Sequence, residues 1–230
     1  MGQGTVVIIG GTQGLGRRLA ERFAQAGNPV VLTGRDAARA QSVAAELGAG
    51  ASGRGLDLAE PQDIAAALAD VEDVQHVVLA AIERDLNSVR EYDIARAIRL
   101  ATIKLVGYTE VLHVLHPALN PTASVLLFGG IARERPYPGS TTVTSVNGAV
   151  ETMVRTFALE LAPVRVNALH PGIVGDSPYW VDNAAVIENV TNHTHIGRPV
   201  TMDEITDAAL FLLRNGAVNG INLNVDGGWS

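Results

Sequence analysis

The chain has 230 residues, 47% hydrophobic, 4% aromatic and 18% charged, which suits one folded domain and excludes a disordered or collagen-like protein. Lys and Arg total 17 against 24 Asp and Glu, a net charge of -7 that disfavours a nucleic-acid partner, because a phosphate backbone is drawn to basic surfaces. The lack of cysteine removes disulfides, thiol nucleophiles and cysteine metal sites.

Met1-Gly2-Gln3-Gly4-Thr5 leads straight into Val6-Val7-Ile8-Ile9 without a basic leader, and the longest apolar run, 77–82, is far short of the roughly 20 residues that span a bilayer. A cytoplasmic protein with no membrane partner is expected. Short β-branched runs follow at 5–9, 30–33, 74–79, 124–128, 164–169 and 221–225, with a weaker, glycine-containing one at 52–56. Most are apolar on both faces, as buried parallel strands are. Segments of helical period lie between them, at 15–26, 37–47, 61–69, 88–115, 144–161 and 203–214. The alternation predicts right-handed βαβ units in one α/β domain over 1–230, with a doubly wound parallel sheet and helices on both faces.

The first strand runs into Gly10-Gly11-Thr12-Gln13-Gly14-Leu15-Gly16 and then a helix. Glycines in this place serve a tight turn, close backbone approach to a pyrophosphate and close packing of helix on strand, while the helix N-terminus offers free N–H groups to the phosphates. The second strand ends Leu32-Thr33-Gly34-Arg35-Asp36. A carboxylate at such a strand end holds the ribose 2′-OH of NAD, whereas arginine accommodates a 2′-phosphate. Arg35 therefore favours NADP(H), with Arg39 as a second positive charge one turn on. Asp36 reads as an N-cap for Ala37-Ala38-Arg39, the alternative being the acid of an NAD site.

On these residues the chain resembles the short-chain dehydrogenase/reductase family over essentially its whole length. Gly10–Gly16 resembles the family's TGxxxGxG loop, with Ile9 in place of the leading threonine. Asp57-Leu58 resembles its adenine-contacting pair. Leu79-Ala80-Ala81-Ile82 stands where the family has NNAG, and Arg165-Val166-Asn167-Ala168-Leu169-His170-Pro171-Gly172 is similar to RVNxxxPG, whose end lies against the nicotinamide. Gly197-Arg198-Pro199 and Val225-Asp226-Gly227-Gly228 resemble its C-terminal blocks. The resemblance implies a seven-stranded Rossmann sheet, a homo-oligomer (dimer or tetramer) and cofactor contacts from Gly10, Thr12, Gln13, Gly14, Leu15, Gly16, Gly34, Arg35, Asp57, Leu58, Ala80, Ala81, Ile82, Pro171, Gly172 and Ile173.

The family's catalytic residues are absent from the matching positions. Registered from Glu160 and Pro171-Gly172, its tyrosine falls on Val143, its lysine on Asn147 and its serine on Gly130, while Lys104 stands in place of its fourth-helix asparagine. Val143 donates no proton and Gly130 has no hydroxyl for a carbonyl oxygen, yet carbonyl reduction needs both a proton donor and polarisation beside the hydride. Lys104 is the only lysine among 17 basic residues, and an amine lowers its pKa on burial as a guanidinium does not. It is the first candidate proton donor. Its i,i+4 neighbour Tyr108 makes either a relocated Tyr–Lys pair or a core residue. Tyr137, on the loop that resembles the family's substrate-side loop, is the second candidate.

Asp176 stands where the family has a threonine that helps hold the carboxamide. Residues 176–198 match the segment that covers substrate, and Tyr179, Trp180, Val186 and Ile187 there suggest a small, largely apolar ligand. Neither Glu110, His113 and His116 nor His193 and His195 form a full ligand set, so no metal site is expected. Three functions remain in play: an NADP(H)-dependent oxidoreductase of a small carbonyl or alcohol with a rebuilt proton relay, an inactive NADP(H)-binding sensor or partner subunit, and a non-redox enzyme using the Lys104 amine.

Overall fold

Side chains of β1 (Thr5–Ile9) alternate between two hydrophobic cores, Val6 and Ile8 on one side, Val7 and Ile9 on the other. A strand must do this when both faces of its sheet are covered, because successive side chains point opposite ways. The computed structural model describes residues 4–229; Met1-Gly2-Gln3, part of the reading of the leader, and Ser230 lie outside the described residues. With β2 (Val30–Gly34), β3 (Ala51–Gly55), β4 (Val74–Leu79), β5 (Leu119–Phe128), β6 (Arg165–Pro171) and β7 (Asn222–Val225), β1 forms a seven-stranded sheet in the order β3-β2-β1-β4-β5-β6-β7. Every neighbouring pair is parallel. The expected single-domain α/β Rossmann fold is the one observed.

Helices α1 (Gly14–Gln25), α2 (Ala37–Leu47) and α8 (Met202–Arg214) bury Leu19, Phe23, Val43, Leu210 and Leu213 against one face. On the other, α3 (Ile64–Leu68), α5 (Tyr108–Leu115) and α6 (Thr141–Glu160) bury Ile64, Val111, Leu115, Val150 and Val154. Each fully buried aliphatic side chain contributes about 1.5–3 kcal/mol. The chain turns back between β3 and β4, so β1 has its successor β2 on one side and β4 on the other. This opens a crevice at the carboxyl ends of the central strands. Among the described residues no helix is long and apolar enough to cross a membrane.

Several boundaries differ from the sequence expectation. The helix expected from residue 88 begins only with α4 (Ile94–Ala101), because the Asp93 carboxylate accepts from the Arg96 N–H and caps it there. A six-residue π turn, Thr102–Gly107, then joins α4 to α5. Strand β3 lies one residue earlier than expected, and its glycines have a packing reason. A Cβ on Gly53 would stand 2.0 Å from the Ala40 carbonyl oxygen, so α2 approaches β3 only because that side chain is missing. β5 starts at Leu119 rather than 124, and α6 at Thr141 rather than 144. In the segment expected to cover the substrate a further helix, α7 (Ala184–His193), forms with the Asn183 side chain accepting from the Val186 N–H.

Candidate active site

A cavity of about 600 Å³ runs along the carboxyl ends of β1, β2, β4, β5 and β6. The sixteen expected cofactor contacts line it, and so do Lys104, Gly130, Tyr137, Val143 and Asn147.

The turn after β1 depends on glycine at two points. Gly10 has φ +87° and Gly14 φ +54°, in the region that other residues avoid. Gly16 packs so closely on the turn that a Cβ would lie 2.1 Å from the Gly10 carbonyl oxygen. At the start of α1, the Gln13 side chain makes no cap, which leaves the first-turn N–H groups without that acceptor. A backbone cradle with uncapped donors at a helix N-terminus fits a pyrophosphate.

At the end of β2, the Asp36 carboxylate accepts from the Arg39 N–H at 3.1 Å and caps α2, the role expected of it. Arg39 reaches Gln13 at 3.3 Å and does not line the cavity. Arg35 is largely exposed and lies 3.6 Å from Glu83, a residue the sequence reading passed over. Asp57 and Glu83 are both held by Arg99, at 2.8 and 2.9 Å.

Lys104 sits in the π turn, buried to 1% exposure. Its Nζ donates to Tyr108 Oη and to the Phe128 carbonyl, each at 2.7 Å, and Tyr108 Oη donates in turn to the Ala81 carbonyl at 2.8 Å. Tyr108 is thus both a core residue and the partner of Lys104. An ammonium has three N–H donors, so these two bonds leave one for the cavity. Burial, reinforced by the charge of Arg84, pulls the Lys104 pKa down from 10.5 to about 7. Burial drives the Tyr108 phenol well above its ordinary value.

On the same cavity, Asn147 is 3% exposed, and among the described residues its Oδ1 has no hydrogen-bond partner. A buried amide acceptor left unpaired costs about 1–3 kcal/mol, and a ligand hydroxyl at that point would relieve it. Gly129, on the same wall, packs on His170, whose ring a Cβ on Gly129 would meet at 2.3 Å. His170 Nδ1 accepts from the Gly130 N–H at 3.3 Å, which leaves Nε2–H to donate to Asn222 Oδ1 at 2.9 Å. Burial lowers the His170 pKa from 6.5 to about 4, so the ring is neutral. Tyr137 lies on the loop before α6, its own N–H donating to Ser140 Oγ, and burial raises its phenol pKa.

Two expectations for the covering segment need correction. Asp176 does not line the cavity: its carboxylate accepts from the Met202 N–H at 2.7 Å at the start of α8. Val186 and Ile187 do not line it either, because α7 carries them away; only Ser177, Pro178, Tyr179 and Trp180 of the segment do. Nor is that wall simply apolar, since the Arg84 guanidinium lies over the Tyr179 ring at 4.1 Å. Sequence reasoning missed Arg84 and Glu83 for the same reason: a charged residue in a loop is solvated by default, and nothing local marks one turned inward. Among the described residues no group of three or more His, Asp or Glu is placed to hold a metal ion, and His113 and His116 stack on each other.

The profile of a family described as enoyl-(acyl carrier protein) reductase matches residues 10–230. Galactitol 2-dehydrogenase (L-tagatose-forming) of Cereibacter sphaeroides is 30% identical, over 97% of this chain and 93% of its own. Glucose 1-dehydrogenase of Gluconobacter oxydans is 26% identical, over 97% and 90%. A crystal structure of a short-chain dehydrogenase/reductase, glucose/ribitol dehydrogenase, from Brucella melitensis is similar with a TM-score of 0.90 at 27% identity, covering 98% of this chain and 96% of that one.

Proposed function

This chain belongs to the short-chain dehydrogenase/reductase family, and from that premise we propose that it is an NADP(H)-dependent oxidoreductase of a small carbonyl or alcohol substrate, with Lys104 as its proton donor. The cofactor fits the residues present. The Gly10–Gly16 cradle and uncapped start of α1 would hold the pyrophosphate, Asp57 and Leu58 the adenine end, Asn147 Oδ1 a ribose hydroxyl, and Pro171, Gly172 and Ile173 the nicotinamide face. Arg35 would take the 2′-phosphate. This choice over NAD is supported by Asp36, whose carboxylate is engaged as a helix cap.

When bound, the dihydronicotinamide supplies the hydride. The chain must then supply the proton and polarise the carbonyl. On this reading Val143, Asn147 and Gly130 occupy the family's tyrosine, lysine and serine positions, and none of them can donate as tyrosine does. The observation that carries the proposal is the buried Lys104 amine on the cavity wall, held by Tyr108 Oη and the Phe128 carbonyl with one donor to spare. Tyr108 is a positioning residue, since it does not line the cavity. Residues 177–180 form one side of the cavity.

The test is calorimetric titration with NADPH and NADH, followed by a search for deuteride transfer from C4-labelled NADPH to carbonyl compounds. NADPH preferred over NADH, with the preference lost in Arg35→Ala, is the expected result. Equal affinity for the two in wild type refutes the NADP(H) assignment. Tight NADPH binding without transfer to any acceptor refutes the oxidoreductase and leaves a binding protein.

A further inference from the structure

We propose that Arg84 is the seat of a substrate carboxylate, and that the carbonyl compound taken by this cavity is a short oxo acid, or the matching hydroxy acid in the reverse direction. The choice of an oxo group rests on the oxidoreductase reading above; the carboxylate seat does not.

Arg84 follows β4 and lines the cavity together with Tyr137, Tyr179 and Trp180. Its guanidinium carbon lies 4.1 Å from the centre of the Tyr179 ring and 5.6 Å from that of Trp180, and the two rings meet edge to face at 4.5 Å. Among the described residues it has no hydrogen bond and no ion pair; its partners are these aromatic faces. The two carboxylates on the cavity wall are not available to it, because Arg99 binds both Asp57 and Glu83. Burial lowers the Arg84 pKa, which marks a cation already partly stripped of water.

A desolvated charge is normally paired, and stacking on aromatic rings returns only about 0.5–2 kcal/mol. Stacking fixes the plane of a guanidinium while leaving its N–H edge free, and that edge matches a carboxylate through two parallel bonds. The Tyr137 phenol, which has no bond from its hydroxyl among the described residues, lines the same cavity as Arg84. It supplies one more donor to the same anion. Arg84 and Lys104 line the same cavity, so one small molecule can present a carboxylate to Arg84 and its carbonyl oxygen to Lys104. The cavity of a chain of net charge -7 thus turns two cations to its substrate end.

The experiment uses the NADPH-loaded protein with 2-oxo and 3-oxo acids of four to six carbons and with their methyl esters, for wild type, Arg84→Gln and Arg84→Lys. The expected result is a kcat/KM at least about 10-fold higher for one acid than for its ester. In Arg84→Gln that preference collapses towards unity through a rise in KM of about 10- to 100-fold, the worth of a charge-assisted pair, and Arg84→Lys restores part of it. The NADPH dissociation constant stays within about twofold, since the seat is not a cofactor contact. Reduction of esters in preference to acids overturns the proposal while leaving the oxidoreductase reading intact. So does an Arg84→Gln effect that falls on NADPH affinity instead. If no compound is reduced, the oxidoreductase reading fails by itself, and saturation-transfer NMR with the same acids decides on the seat: signals lost in Arg84→Gln support it, and equal signals, or none with wild type, overturn it.

Discussion

A single amine carries the proposed chemistry at the residue scale. An arginine at position 104 would keep its charge under burial, whereas the Lys104 pKa falls to about 7, so both protonation states exist near neutrality. As proton donor in the reductive direction, Lys104 must be charged, so turnover is expected to fall as pH rises through about 7. Lys104→Met is expected to lower kcat by about 10²- to 10⁴-fold and to remove that pH dependence. Thermal unfolding should show the variant no less stable than wild type near pH 7, because an apolar chain of similar length avoids the desolvation of the amine. The linkage has the same sign: between pH 7 and 10.5 the unfolded chain binds the Lys104 proton and the native one does not, so wild-type stability gains from rising pH and the variant lacks this gain. Kinetics unchanged by the substitution would refute the assignment.

At the scale of elements, the segment between β4 and α4 shows why loops need a tertiary frame. Asn87 is 2% exposed. Its Nδ2 donates to Asp85 Oδ2 at 2.7 Å and to the Asp93 carbonyl at 3.0 Å, its Oδ1 accepts from the Asp93 N–H at 2.7 Å, and its backbone carbonyl accepts from the Thr141 N–H at 3.0 Å. The side chain therefore shapes the loop and brings Asp93 to the start of α4, while the backbone of the same residue ties the loop to α6. Asn87→Ala leaves the Asp85 carboxylate and the Asp93 backbone groups without these bonds and is expected to destabilise the protein by about 1–3 kcal/mol in urea unfolding, with faster hydrogen exchange concentrated in residues 83–93. Exchange spread evenly over the sheet would show that Asn87 does not hold this loop. In the sequence the same stretch carries enough helical period to extend α4 six residues too far. Periodicity records which face is apolar, and an asparagine satisfied from four directions leaves no periodic trace.

For the molecule as a whole, two neutral histidines sit within the sheet layers. His76 on β4 shares a hydrogen bond with Ser124 on β5, His170 on β6 bonds Asn222 on β7, and burial puts both near a pKa of about 4. Unfolded histidine takes up a proton near pH 6.5, so between about pH 6.5 and 4 the unfolded chain binds more protons and stability falls as pH falls. Each histidine should withdraw about 2 kcal/mol by pH 5. Urea midpoints that stay flat from pH 7 to pH 5 would refute this.

What the sequence by itself determined is the class of fold and the place of the cavity. Buried parallel strands need no alternation, so runs such as 77–79 and 125–127 stand out, and helical segments between them permit only right-handed crossovers. Gly10, Gly14 and Gly16 were legible because each answers a backbone need that is local in the chain. Lys104 was legible by its rarity, and Asp36 as a cap by its three-residue distance from Arg39. The tertiary structure decided what fills the cavity walls. Whether Tyr108 reaches Lys104, whether Asp176 faces the cavity or α8, and whether Arg84 turns outward or onto Tyr179 depend on elements far apart in the chain. Side-chain direction there is set by desolvation and by partners that only packing brings within bonding distance.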